Sequence, residues 1–299
     1  TGVTMKNSTK TMFKKHGWRL DRAVHNYIYF VYYYPYVKTV YHVFRSLAQY
    51  LSWFKQLSPV LRSAFSRYHS KVLSFGDTRK IFELNTDVSA ISEKNRQIVP
   101  YRYAYKILFQ EPDYIAVMDC PCKKTLKDED WTINSCIAVG RGIASFWLEH
   151  GQKYNARRIS QHEALSMIKR FRQHGYLTQA FFKVATGGST GVICNCHPDT
   201  CVSLQATRFA RRFNDTLSMT AHAGYAIAHN DTTCEHCGDC RDICPVNAVT
   251  VTETGWDYNQ EECLGCELCV EHCTTGALSL TRDPQKPVPL DLDIVLEKY

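Results

Sequence analysis

The chain lacks the usual fingerprints of nucleotide chemistry. No Gly-x-Gly-x-x-Gly follows a strand-like run, and no Gly-rich loop continues into Lys-Ser/Thr. No nucleophile–base constellation stands out either. These absences argue against nicotinamide, flavin and nucleoside-triphosphate enzymes. Long apolar runs are missing too: the aromatic stretch 27–54 is broken by Pro35 and Lys38 and falls short of the ~20 residues a membrane-spanning helix needs. No signal-peptide pattern is visible, and the expected location is cytoplasmic, with a peripheral seat on the cytoplasmic membrane face as the variant. Fourteen cysteines in 299 residues are too sparse for a disulfide scaffold, and their tight local clustering suits metal binding in a reducing compartment.

Eight of those cysteines form two copies of one pattern. The first is Cys234-x2-Cys237-x2-Cys240-x3-Cys244-Pro245, and the second is Cys263-x2-Cys266-x2-Cys269-x3-Cys273, displaced by 29 residues. Ala248-Val249-Thr250-Val251 and Ala277-Leu278-Ser279-Leu280 repeat at the same displacement, so each half reads as cluster loop, helical turn and short strand. Residues 231–281 resemble the two-[4Fe–4S] bacterial ferredoxins. The resemblance implies crossed ligation. One cluster would lie on Cys234, Cys237, Cys240 and Cys273, the other on Cys263, Cys266, Cys269 and Cys244. Thr274 departs from the family's Pro at that place. The acids around the loops (Asp239, Asp242, Glu261, Glu262, Glu267, Glu271) predict low potentials, because negative charge disfavours a reduced cluster.

The other six cysteines lie upstream: Cys120, Cys122, Cys136, Cys194, Cys196 and Cys201. Two strand-like runs, Tyr114–Met118 and Val192-Ile193, each lead into a Cys-x-Cys. The pieces Tyr68–Val72, Val117–Lys123, Glu163–Leu165 and Ile193–Cys196 resemble a region that precedes the ferredoxin segment in a group of poorly described bacterial and archaeal [4Fe–4S] proteins. That resemblance implies no settled activity. From the residues alone, four of the six cysteines can hold a third iron–sulfur cluster or a zinc ion. A redox-active dithiol and inert thiols are the other readings.

Elsewhere the pattern is mixed. Residues 1–22 read as a basic arm, and Thr39–Phe54 as an amphipathic helix suited to a lipid surface or to a partner. Ser160 and Glu163 form a capping box for a helix that Gly175 stops. Thr186–Gly191 reads as a hairpin turn, and Pro284, Pro287 and Pro289 open an apolar-acidic tail that can strap back onto the body. The predicted fold is α+β: a mixed N-terminal and middle region followed by a ferredoxin-like βαβ pseudo-repeat. The segments are 1–75 (arm and aromatic helices), 76–230 (six cysteines), 231–283 (two clusters) and 284–299 (tail).

Charge is polarised along the chain. Residues 1–119 carry +10, residues 120–230 carry +7 and residues 231–299 carry −10. Such polarity suits salt-sensitive docking of redox partners, or oppositely charged faces that pack together. The leading expectation is an electron-transfer subunit of a multi-subunit oxidoreductase complex, without substrate chemistry of its own. An oxidoreductase centred on the middle cysteines is the alternative. A redox-responsive winged-helix DNA binder over 160–185, using Lys169, Arg170, Arg172 and Lys183, is a third reading, with nucleic acid an unlikely partner.

Overall fold

The computed structural model describes residues 5–18, 20–51, 68–100, 106–183, 190–211, 217–253 and 255–297. Short runs rich in β-branched and aromatic residues supply thirteen strands. In chain order these are β1 (Tyr68–Leu73), β2 (Val88–Ile91), β3 (Lys106–Phe109), β4 (Ile115–Asp119), β5 (Asn134–Val139), β6 (Arg157–Ile159), β7 (Leu177–Lys183), β8 (Val192–Cys196), β9 (Thr220–Ala221), β10 (Tyr225–His229), β11 (Val249–Thr252), β12 (Gly255–Tyr258) and β13 (Leu278–Arg282). Seven of them form one sheet in the order β6-β4-β5-β8-β7-β1-β9, antiparallel except for the β1–β9 pair.

Alternation along the strands divides the apolar residues between two faces, because successive side chains point to opposite sides. Met118, Cys136, Cys194, Cys196, Leu177 and Phe181 belong to one core, and Ile115, Val117, Ile137, Ile193, Ala180 and Phe182 to the other. The first face is covered by Tyr29, Phe30 and Tyr33 of the N-terminal helices and by Phe146 and Trp147 of the helix Arg141–His150. The second is covered by Ile81 and Phe82 of the helix Phe75–Phe82, and by Ala164 and Ile168 of Gln161–Gln173.

The N-terminal stretch differs from the expected loose arm. Residues Asn7–His16 are helical, and Lys6, Lys10 and Lys14 fall four apart along one side. Lys6 donates to the Glu149 carbonyl, and Ser8 Oγ to the Glu149 carboxylate at 2.5 Å. The aromatic segment forms two helices, Leu20–Val31 and Tyr33–Leu51. The second starts well before Thr39, because Pro35 sits in its first turn, where a missing N–H breaks no helical hydrogen bond. Residues 52–54 of the expected helix lie outside the described residues, as do 186–189 of the Gly-rich turn.

The helix Gln161–Gln173 is capped by Ser160 Oγ, which accepts from the Glu163 N–H at 3.0 Å. Only half of the capping box forms, because the Glu163 carboxylate takes Arg157 at 2.6 Å instead. Gly175, at φ +79°, turns the chain into β7 in a conformation that favours glycine. The segment that follows is no exposed wing: β7 lies inside the sheet between β8 and β1.

The C-terminal lobe consists of two hairpin-like ladders, β10–β13 and β11–β12, around a core of Ile227, Cys240, Val249, Cys269 and Leu278. After β13 the tail returns to the body. Leu290, Leu292 and Val295 are buried in the second core, Val288 N–H donates to the Gln97 carbonyl at 2.7 Å, and Lys80 pairs with Asp291 and Asp293.

Candidate redox and metal centres

Five of the eight C-terminal cysteines gather around one small core. Cys240 and Cys269 are buried in it, and Cys244, Cys263 and Cys273 pack against it. Cys266 is buried in the first core of the body. The chain reaches this arrangement through two equivalent turns. His236, Asn247 and Glu267 adopt positive φ, and short helices Asp239–Asp242 and Leu268–Glu271 carry Cys240 and Cys269. Cys244 belongs electrostatically with the second run, being a neighbour of Cys263, Cys266 and Cys269. Cys237 is the exposed member, and Cys240 faces it.

Burial pushes the Cys266 thiol up to about 12, and raises Cys263 and Cys269 as well. Thiols in such surroundings ionise when a metal binds them. Two sulfurs already receive backbone donors: Ala248 N–H reaches Cys244 Sγ at 3.2 Å, and Gly265 N–H reaches Cys263 Sγ at 3.4 Å. The donor set, eight thiols of one lobe with backbone N–H groups aimed at sulfur, fits two iron–sulfur clusters.

Comparison with known proteins agrees. Residues 233–277 match the family model of the 4Fe-4S dicluster domain. The C-terminal lobe is a 4Fe–4S dicluster domain. It implies two [4Fe–4S] clusters and places iron–sulfur electron transfer in this part of the chain. The chain is 34% identical over 71 residues to hydrogenase-4 component A of Escherichia coli, covering 21% of this chain and 35% of that protein. It is 34% identical over 58 residues to formate hydrogenlyase subunit 2 of Escherichia coli, covering 19% and 29%. An uncharacterized ferredoxin of Methanocaldococcus jannaschii is 40% identical over 48 residues, covering 15% and 28%. The chain thus spans about a third of the length of these relatives. No helix among the described residues is long and apolar enough to cross a membrane.

The dicluster domain meets the body through a buried arginine. Arg172 is almost inaccessible, and it pairs with Glu271 at 2.5 Å while its Nη2 donates to the Cys266 carbonyl at 2.6 Å. It therefore does not face solvent as a phosphate-binding residue, the role the sequence suggested. Its place was legible: Ala164, Ile168 and Arg172 fall at four-residue steps on the buried stripe. Phe75 N–H donates to Glu267 at 2.6 Å, Tyr225 OH to Asp77 at 3.0 Å, and Arg211 pairs with Glu262 at 3.0 Å. Lys71, in mid-strand and fully buried, donates to the carbonyls of His222 at 2.6 Å and Val288 at 2.8 Å. Sequence reading gave Lys71 no role, although a lysine in a strand that is otherwise buried was the signal.

The structure also brings all six middle cysteines together. β4 ends at Asp119, Cys120 takes the N-cap position of the helix Pro121–Leu126, and Cys122 lies in that helix. Cys136 on β5 stands directly across from Cys194 on β8, with their sulfurs 3.6 Å apart. Cys196 follows on the same face, and Cys201 immediately precedes the helix Val202–Arg211. Hydrogen bonds from Cys122 and Cys136 hold the Cys120 thiol well below its ordinary range, which makes it the member most ready to ionise. The thiols of Cys122, Cys136 and Cys196 are raised. Among the described residues no group of three or more His, Cys, Asp or Glu side chains already surrounds a common metal position, and this holds for the eight cysteines as for the six.

Proposed function

We propose that the chain is an iron–sulfur electron-relay subunit of a larger redox complex, with the dicluster domain as its carrier. The observation that carries this reading is the asymmetry of the eight cysteines. In this reading Cys234, Cys237, Cys240 and Cys273 hold one cluster, and Cys263, Cys266, Cys269 and Cys244 the other. Each cluster, when bound, accepts and returns one electron. Cys237 is exposed among the exposed acids Glu235, Asp239 and Asp242, so this end offers a basic partner a charged landing face. Cys266 and Cys269 are buried, and Arg172 ties their loop to the body. The chain then serves as a bridge with one end open to a carrier and the other turned inward. The names of the hydrogenase-4 and formate hydrogenlyase relatives support membership of a multi-subunit assembly.

Peripheral contact with a membrane is the finer expectation for residues 27–54. It is supported by exposed Ile28, Tyr32, Val40 and Val43 on the outer side of helices whose inner side is packed. Fractionation of the full chain and of a form lacking residues 1–55 tests it: release on truncation supports contact, and unchanged sedimentation removes it.

The relay itself is tested by anaerobic purification followed by iron and sulfide analysis and EPR after dithionite reduction. About eight irons and eight sulfides per chain, with two magnetically interacting reduced clusters, are expected. Clusters that the mild reductant ascorbate already reduces would remove the reading of a low-potential carrier.

A further inference from the structure

The six middle cysteines line one small space. Cys120 hydrogen-bonds to both Cys122 and Cys136. Cys136 contacts Cys194, and Cys196 hydrogen-bonds to both Cys194 and Cys201. Cys122 and Cys201 are electrostatic neighbours. Six thiols from two strands and two helix starts therefore meet in one place, although they are spread over 82 positions of the chain.

Packing alone does not call for this arrangement. Buried cysteine behaves as a small hydrophobe with a weak S–H donor, and it has no preference for its own kind. The surroundings are those of a charged group. Lys123 lines the same space and is fully buried. Its Nζ lies 4.0 Å from the Phe171 ring centre and 4.4 Å from that of Tyr176, and it donates to the Thr132 carbonyl at 3.2 Å. Among the described residues no carboxylate forms an ion pair with it. A buried ammonium is tolerated when a counter-charge is near, and the thiols are the groups at hand to supply one as thiolates. Tyr33 covers the pocket from the N-terminal helices, keeping water out.

We propose that the six cysteines form a metal centre separate from the dicluster domain, a compact polythiolate site for a thiophilic ion of the zinc type. Sulfur spacing selects the ion over a third cubane, whose cysteine ligands sit on separate irons and stand farther apart. A tetrahedral Zn–S shell with bonds of about 2.3 Å has sulfur–sulfur edges of about 3.8 Å, and Cys136 and Cys194 already stand 3.6 Å apart. Small side-chain rotations close four of the six around one ion, and Lys123 offsets part of the negative charge. Binding releases the thiol protons to solvent, with no change in oxidation state.

The test uses the full chain, purified anaerobically from cells grown with zinc. Elemental analysis should find at least one zinc per chain beside the iron of the dicluster domain, and X-ray absorption at the zinc edge should show sulfur alone at about 2.3 Å. The double variant Cys136→Ser/Cys194→Ser should lose this zinc while keeping the iron, sulfide and EPR signal of the dicluster domain. Should that variant fail to fold, Cys122→Ser/Cys201→Ser at the rim gives the same readout. Iron without any further metal overturns the proposal, as does zinc that survives the two double variants combined, which leave only two of the six thiols. Extra iron accompanied by extra sulfide, lost in the variants, also overturns it and puts a third cluster in the ion's place.

Discussion

The molecule holds two cysteine-rich centres built on opposite plans. In the dicluster domain the ligands are neighbours in sequence, spaced two and three residues apart, and they lie in short turns with one member exposed. In the body the sulfurs come from β5, β8 and two helix starts, and five of the six are buried while Cys122 is partly so. The first plan lets a loop wrap a preassembled cofactor and leaves an edge for electron exchange. The second makes the site a product of the sheet, so it exists only when the strands are in register. Local spacing thus builds a port, and long-range pairing builds a closed chamber.

The largest effect should separate the two plans outright. Cys269→Ser removes a buried sulfur of the dicluster core, and iron should fall from about eight to about four per chain. Metal held by the six middle cysteines should be untouched, as elemental analysis will show. Loss of both metals together would mean that the centres fold as one unit. Next in size is Arg172→Ala at the seam. Removing one partner of a buried pair leaves Glu271 and the Cys266 carbonyl without their donor, at a cost of about 3 kcal/mol. Chemical denaturation with iron absorbance and tryptophan fluorescence as two probes should show the dicluster domain melting ahead of the body. Coincident transitions would count against this seam as the weak link.

Lys71→Met should cost about 2 kcal/mol by leaving the His222 and Val288 carbonyls unsatisfied. Limited proteolysis should then clip residues 284–297 while the dicluster core stays resistant. The smallest effect is a slope in pH. Burial raises Asp77 to about 6, so between the ordinary carboxyl range and pH 6 the folded state binds more protons than the unfolded chain. Stability therefore falls as pH rises through that window. Asp77→Asn removes this slope, and from pH 5 to pH 7 it should gain about 1 kcal/mol relative to the parent. Parallel pH profiles for the two proteins would show that Asp77 is not the titrating group.

Legibility in the sequence followed the same division. The dicluster domain could be recognised as such, because its cysteine spacing is local and repeated at 29. The tail was legible as an apolar strap, and the strands leading to each Cys-x-Cys were legible from their β-branched runs. The gathering of the six middle cysteines was not. Cys136 looked like a single cysteine because its partner stands across a strand pair formed 58 positions away. Strand order is set by the summed burial of a whole sheet, which no local motif encodes. Arg172 was misread for a related reason: a basic helix looks like a phosphate binder until its helical phase puts one cation inside. The basic arm was misread because lysines at steps of four suit a helix face as well as a loose chain.

One consequence concerns the order in which the protein is made. Lys71 and Gln97 fasten Val288, and Ile81 and Phe82 share their core with Leu292 and Val295. The body emerges from the ribosome before its fastening residues, which follow both ferredoxin cysteine runs. A nascent chain therefore carries a second core that lacks Leu290, Leu292 and Val295 until the dicluster segment is complete, which leaves an interval for metal loading before the strap closes.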